Sequence, residues 1–173
     1  MASLAQSSAE SGNGTFEIIA FRISDQDFCV RTITIREIRG WSPSTPVPHS
    51  PPDIVGVMNL RGSVIPIIDL AYKLGMKSTE ATERSAIVVA EVHEMVLGLV
   101  VDGVSDILTI RASQVQPVPE ITTSFDRSVS EGIITHDSGM ICLLSLSRLF
   151  QQATSKPSLP HDLLGILKSK EFR

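Results

Sequence analysis

Short runs of apolar residues recur along this chain, separated by polar turns. The runs at 16–23, 28–31, 57–60, 64–68, 85–92 and 95–101 are rich in Ile, Val, Leu and Phe, which strands favour. Turn-forming residues stand between successive runs, as at 24–27 and at His93-Glu94. Short strands at this spacing predict an all-β protein built from hairpins and small barrels.

Two segments have a mixed pattern. Ile35 and Ile38 are three residues apart, a spacing that fits one helical turn as well as a bent strand. Val104, Ile107 and Leu108 have the i, i+3, i+4 spacing of a short helical turn. The second segment also echoes the first, because Ile35-Arg36-Glu37-Ile38 is matched by Val104-Ser105-Asp106-Ile107.

One unit of the pattern occurs twice. Gly56 to Leu74 reads GVMNLRGSVIPIIDLAYKL, and Gly132 to Phe150 reads GIITHDSGMICLLSLSRLF, 76 residues later and without a gap. Each copy predicts a strand, a polar turn, a second strand and a short helix. Two copies are too few for a solenoid and indicate two related half-domains. We therefore expect two intertwined five-stranded, SH3-like barrels that share a core, with short helices.

The pattern also divides the chain into segments. Residues 1–14 are small and polar, which predicts a disordered extension, and residues 15–152 form the predicted domain, with a connector near 76–84. Residues 153–173 form a tail in which Leu163, Leu164 and Leu167 have the spacing of a short helix. The five prolines between 43 and 52 predict a stiff loop. That loop fits either a plain surface connection or a partner-facing segment that begins at Trp41.

Composition narrows the class of protein. The net charge of −4 and the 5% aromatic content argue against nucleic acid as a partner. Cys29 and Cys142 lie inside apolar runs and outside any metal-binding motif, so we expect two reduced core thiols in a reducing compartment. No secretory signal and no apolar run of about 20 residues is evident, which predicts a cytoplasmic protein without direct membrane insertion.

No motif for chemistry is found. His49, His93, His136 and His161 are far apart in the sequence and predict no metal site, and no catalytic or cofactor-binding motif is present. Asp69, Asp102 and Asp106 follow apolar runs, where carboxylates cap turns and helices. An interaction module is the favoured class. The alternative is a small-molecule-binding or catalytic double β-barrel that uses the cleft between the halves, and titratable groups converging there beyond Glu37 and Arg61 would support it.

Four blocks of sequence point to a family. They are Glu37-Ile38-Arg39-Gly40-Trp41, Gly56-Val57-Met58-Asn59-Leu60-Arg61-Gly62, Val64-Ile65-Pro66-Ile67-Ile68-Asp69-Leu70 and Gly98-Leu99-Val100-Val101-Asp102-Gly103-Val104-Ser105-Asp106-Ile107. In this order they resemble the CheW family of bacterial chemotaxis coupling proteins, over about 16–150. The resemblance implies an adaptor without enzymatic activity that joins the regulatory domain of the histidine kinase CheA to the cytoplasmic tips of methyl-accepting chemoreceptors. It also implies recruitment to membrane receptor arrays through these partners.

The resemblance implies two sets of site residues. The receptor-binding positions, around a groove between the halves, are Ile35, Glu37, Ile38, Arg61, Val104 and Ile107. The kinase-binding positions, in the first half, are Arg39, Gly40, Trp41, Asp53, Ile54 and Gly56. Arg61 gives a charge-assisted bond to a carboxylate or carbonyl of a receptor helix, ties its own turn to a neighbouring backbone carbonyl, or does both. Ile35, Val104 and Ile107 are either docking residues or plain core.

Overall fold

The computed structural model describes residues 14–78, 80–119, 127–137 and 139–155, and of residues 127 and 151–155 only the backbone. Its strands are β1 (Thr15–Ile23), β2 (Gln26–Arg31), β3 (Ile35–Gly40), β4 (Ile54–Leu60), β5 (Ser63–Asp69), β6 (Ala86–Val92), β7 (Met95–Val101), β8 (Gly103–Arg111), β9 (Val115–Gln116), β10 (Ser130–His136) and β11 (Gly139–Leu144). Its helices are α1 (Leu70–Lys73) and α2 (Leu146–Ser155), with 3-10 turns at Thr32–Thr34, Ala112–Gln114 and Arg127–Val129. Apart from Gly14, the predicted N-terminal extension lies outside the described residues, as do the tail after Ser155 and its predicted helix.

The strands form two sheets that exchange elements between the halves of the chain. The six-stranded sheet has the order β8-β1-β2-β11-β10-β9, and the five-stranded sheet has the order β3-β6-β7-β5-β4. The hairpin β1-β2 therefore pairs with strands of the second half, and the hairpin β6-β7 pairs with strands of the first half. The prediction of an all-β fold with two intertwined units is confirmed. Within the described residues, however, no strand pairing joins the outer strands of either sheet, so neither closes into a complete barrel.

The structure reproduces the sequence repeat. The hairpin β4-β5 corresponds to β10-β11, and α1 corresponds to α2, all displaced by 76 residues. The first strand of each copy, β4 or β10, has a bulge beside its glycine, Gly56 or Gly132. A short segment pairs antiparallel with each bulged strand: Thr45 forms a bridge with Val57 on β4, and β9 pairs with β10.

The two segments with a mixed sequence pattern, around 35–38 and 104–108, adopt different structures. The first contains both predicted shapes, a 3-10 turn over Thr32–Thr34 and then strand β3. For the second, the prediction of a helical turn was wrong, because Val104, Ile107 and Leu108 lie in β8, which is hydrogen-bonded along β1. A bulge shifts the register opposite Ala20 and Phe21. An extra residue reverses which face the next side chains occupy, and this reversal produced the helix-like spacing.

Apolar side chains form three clusters. The largest, which we call the shared core, lies between the sheets and takes residues from both sheets and both helices, including Phe21, Phe28, Val88, Leu99, Leu146 and Phe150. A smaller cluster lies on the other face of each sheet, around Ile18 and Leu143 in one and around Ile67 and Ile87 in the other. The shared core fixes how the sheets, and the residues on their edges, are placed relative to one another.

Candidate partner-binding surfaces

Three charged residues, Glu37, Arg39 and Arg61, lie on or beside the two outer strands of the five-stranded sheet, β3 and β4. Glu37 is on β3 and Arg61 is in the turn after β4, and β3 and β4 are the outer strands of this sheet. Arg61 Nη1 donates to Glu37 Oε2, and Arg39 Nη1 lies 3.5 Å from Glu37 Oε1. The Arg61–Glu37 pair links β3 to the turn after β4, two outer strands that do not pair with each other, whereas Arg39 and Glu37 are both on β3.

The turn that carries Arg61 is held by another residue. Asn59 Oδ1 accepts a hydrogen bond of 2.8 Å from the Gly62 backbone N–H. Arg61 and Gly62 both have positive φ, which the tight turn between β4 and β5 requires. Because Asn59 holds the turn, the Arg61 side chain is available to pair with Glu37 and does not tie its own turn. It remains 74% exposed, whereas Glu37 is 22% exposed.

The electrostatics favour an ionised Glu37. The hydrogen bond from Arg61 lowers the pKa of the Glu37 carboxyl below its ordinary value, partial burial opposes this, and Arg39 adds to the lowering. Arg39 itself is less well satisfied, because its Nε is buried without a hydrogen-bond acceptor among the described residues. A buried donor without an acceptor costs free energy.

A shallow cavity of about 200 Å³ opens beside the ion pair. Its wall carries Glu37, Arg61, Arg36 and Ser63 above apolar side chains of β5, β6 and β7. Arg36 is itself paired with Glu91, at 2.8 Å from Nε to Oε1. The described part of the chain contains no group of three or more His, Cys, Asp or Glu that could hold a metal ion. Both arginines at this cavity are thus already paired with carboxylates.

The apolar positions assigned to receptor binding fall into two kinds. Ile107 is 57% exposed on β8, and Ile38 is exposed on β3. Ile35 and Val104 are partly buried and pack against the shared core. The structure thus leaves Ile38 and Ile107 free to meet a partner, whereas Ile35 and Val104 support the strands that carry them. The two exposed residues lie on different sheets.

The positions assigned to kinase binding also divide. Trp41 is 39% exposed, and Gly40 borders open space. Asp53 is buried, with Lys73 Nζ 3.5 Å from its carboxylate, and Ile54 packs on the shared core. Gly56 is buried beneath the proline-rich loop, because a Cβ there would lie 2.5 Å from the Thr45 carbonyl oxygen.

The proline-rich loop is bound to the sheet. Thr45 exchanges two backbone hydrogen bonds with Val57, of 2.9 and 2.8 Å, and the Trp41 N–H donates to Ser85 at 3.2 Å. The loop and the edge strand β4 therefore form one continuous surface. Val55, which the sequence did not single out, is an exposed apolar residue on this strand.

The remaining candidate groups have structural roles. Asp69 accepts from Tyr72 N and Asp102 from Ser24 N, as expected for carboxylates at strand ends, whereas Asp106, inside β8, accepts from the adjacent Ile107 N. Both cysteines are free. Burial raises the pKa of the Cys29 thiol to about 12, and it also raises that of Cys142. These thiols are therefore protonated at neutral pH and belong to the core.

Known proteins resemble this chain over nearly its whole described length. A relative from Rhizobium etli named "Probable chemotaxis protein CheW" is 52% identical over 143 residues, which cover 83% of this chain and 92% of that protein. "Chemotaxis protein CheW" of Rhizobium meliloti is 51% identical over 138 residues, covering 80% and 89%. No helix in the described part of the chain has the length and apolarity to cross a bilayer.

A solved structure and a family model agree with these relatives. "Crystal structure of scaffolding protein TtCheW from Thermoanaerobacter tengcongensis" superimposes with a TM-score of 0.72 at 30% identity, covering 78% of this chain and 87% of that one. Residues 17–154 match the model described as "CheW: CheW-like domain". The chain therefore belongs to the CheW-like domain family.

Proposed function

We propose that this protein is a chemotaxis coupling adaptor that binds the regulatory domain of the histidine kinase CheA and the cytoplasmic tips of chemoreceptors, and that it catalyses no reaction. Family membership supports the role in chemotaxis, and the similarity to a protein named as a scaffolding protein supports the role of scaffold. No observation favours the alternative of a catalytic or small-molecule-binding barrel. The protein works in the cytoplasm and reaches the membrane through its partners.

The receptor-binding surface combines an exposed cation with exposed apolar side chains. The observation that carries this proposal is the Arg61 guanidinium, which is 74% exposed although it is paired with Glu37. Ile38 and Ile107 supply apolar contact area, and Ile35 and Val104 hold their strands against the shared core. A helical partner presents an apolar stripe bordered by polar groups, which such a surface can match.

The kinase-binding surface is the edge formed by the end of β3, the proline-rich loop and β4. Trp41 and Gly40 contact the kinase, with Arg39 beside them. Three residues support this edge from beneath. Asp53 does so through its ion pair with Lys73, Ile54 through its packing on the shared core, and Gly56 through its close approach to Thr45. Aromatic residues are common at the centres of interfaces, which favours Trp41 as the anchor.

Binding to each partner separately tests the proposal. We expect Arg61→Ala to weaken binding of a receptor fragment by about 2 kcal/mol, roughly 30-fold in Kd, and to leave CheA binding unchanged. Trp41→Ala should have the opposite selectivity. Arg22→Ala is the matched control, since Arg22 is an exposed arginine paired with Asp27 on the other sheet. Failure of the unmodified chain to bind either partner would contradict the proposed function.

A further inference from the structure

The most buried ion pair among the described residues joins Lys73 to Asp53. Lys73 Nζ lies 3.5 Å from Asp53 Oδ2, and the two side chains are 14% and 13% exposed. In each of the other ion pairs of the described residues, both side chains are at least 22% exposed. Exposed ion pairs contribute little to stability, whereas removal of one partner from a buried pair leaves an uncompensated charge. Loss of one partner of this pair should therefore disturb its surroundings more than loss of any other.

Lys73 has a second partner in the other half of the chain. Its Nζ lies over the Phe150 ring, 5.4 Å from the centroid, a distance at which an ammonium group is attracted to the face of the ring. Phe150 is buried in α2 and packs in the shared core. Lys73 itself is the last residue of α1. Its ammonium group therefore connects the helix of the first repeat copy to the helix of the second.

Asp53 lies at the junction between the proline-rich loop and β4. The N–H of Ile54, the first residue of β4, donates a hydrogen bond of 3.0 Å to Pro51 O. Asp53 O accepts a bond of 2.8 Å from Asp69 N, and Asp69 is the residue immediately before α1. The carboxylate of Asp53 meets Lys73 at the end of the same helix. Both the backbone and the side chain of Asp53 are thus held by α1 and its cap.

We propose that Lys73 is a positioning residue for kinase binding. Its ammonium group holds the Asp53 carboxylate inward, and Phe150 holds the ammonium group. Helix α2 of the second half thereby fixes the kinase-binding edge of the first half. This inference deepens the proposed function and rests on it, because it takes CheA as the partner at that edge. Lys73 acts from beneath the edge, since little of its side chain is exposed.

The two partners of the ion pair should not be equivalent. Without Lys73, the Asp53 carboxylate would be buried without a counter-charge, so it would turn toward water and move the junction before β4. Without Asp53, the Lys73 ammonium group still has the Phe150 ring, and its long flexible chain can reach water. When both charges are removed, neither effect remains. Loss of Lys73 alone is therefore the most damaging of these changes.

The first test is a double-mutant cycle on CheA binding with the receptor absent. We expect Lys73→Met to weaken binding on the order of tenfold in the wild-type background and to have no effect in the Asp53→Leu background. Binding of a receptor fragment should be unchanged in all these variants, which a general loss of structure would not allow. An equal effect of Lys73→Met in both backgrounds, or none in the wild type, would refute the proposal.

The second test removes the ring and leaves both charges in place. Phe150→Leu should weaken CheA binding on the order of threefold in the wild-type background and have no effect in the Lys73→Met background. Phe21→Leu is the matched control, because Phe21 is a buried ring of the same core that stacks on Phe28. The control should lower the melting temperature and leave CheA affinity unchanged. If Phe21→Leu weakens CheA binding as much as Phe150→Leu does, core packing alone sets the edge and the role of the ring is refuted.

The third test needs no partner protein. Hydrogen exchange of the Ile54 amide reports on the junction before β4, because this N–H is bonded to Pro51 O. Exchange should be about tenfold faster in Lys73→Met than in the wild type and return to the wild-type rate in Asp53→Leu/Lys73→Met. An unchanged rate in Lys73→Met would overturn the proposal. Lack of CheA binding by the unmodified chain would instead refute the proposed function.

Discussion

At the scale of single residues, Glu37 is the carboxylate that pairs with both arginines beside the outer strands of the five-stranded sheet. The carboxylate is paired with Arg61 across two strand edges and with Arg39 along its own strand. The sequence resemblance indicated Glu37 and Arg61 separately. Their pairing could not be predicted, because the residues are 24 positions apart and only the placement of β3 and β4 brings them together.

This ion pair should make stability depend on acid pH. The pKa of Glu37 is lowered in the folded protein, so its contribution is present above the ordinary value of 4.5 and is lost as the pH falls through the lower folded value. We expect wild type to melt at a higher temperature than Glu37→Gln at pH 7 and the difference to shrink below pH 4.5. Because Arg61 is exposed, solvent screening should keep the difference modest. A difference that is constant between pH 7 and pH 3 would contradict this assignment.

Substitution of Ile35 by a charged residue is a poor test of receptor binding. The side chain packs against the shared core, so Ile35→Asp would bury a charge and lower stability as well as affinity. Ile107 is the better probe, since more than half of its side chain is exposed on β8.

At the scale of elements, the glycines at the two bulges allow a neighbouring segment to pair closely with each bulged strand. A Cβ at Gly56 would lie 2.5 Å from the Thr45 carbonyl oxygen, and one at Gly132 would lie 2.6 Å from that of Gln116. Gly132 also has a φ of +153°, which disfavours any other residue. These glycines are therefore needed where the proline-rich loop pairs with β4 and where β9 pairs with β10.

Adding a methyl group at either bulge should be costly. We expect Gly56→Ala and Gly132→Ala each to lower the free energy of unfolding by about 1–3 kcal/mol, because backbone atoms must move to make room. Gly40→Ala is the matched control: its Cβ meets nothing within 4 Å, so the change should stay within about 0.5 kcal/mol. Urea denaturation of the three variants measures this. Equal stability of all three variants would show that the paired segments do not pack closely against Gly56 and Gly132.

Local pattern predicted the hairpins, the repeated unit and the capped helix after Asp69, because each depends on neighbours in the sequence. It failed at β8, where a bulge changed the spacing of Val104, Ile107 and Leu108. It also could not separate exposed from buried site positions. Asp53 and Gly56 are covered by segments that reach them through Lys73 and Thr45, contacts that no short stretch of sequence encodes.

At the scale of the whole molecule, strand exchange makes each half incomplete. The first half contributes β1 and β2 to one sheet and β3, β4 and β5 to the other, and the second half supplies the remaining strands of both. The parallel pairings β2-β11 and β5-β7 join the halves inside the sheets. Neither half can therefore bury its apolar faces alone.

Division of the chain in the connector tests this interdependence. We expect fragments 1–80 and 81–173 to be unfolded separately and to form a β-rich complex with one cooperative melt when mixed, because the exposed connector carries none of the strand pairs. Circular dichroism of each fragment and of the mixture provides the measurement. A native-like spectrum from either fragment alone would show that the halves are independent.

The shared core has a mechanical consequence. It interlocks side chains from both sheets and both helices, so tilting one sheet against the other would break many close contacts at once. The protein is therefore rigid, and it holds partners that bind its two faces at a fixed distance from each other. In the proposed role, a change in receptor shape would therefore reach the kinase as a rigid-body movement of the whole adaptor.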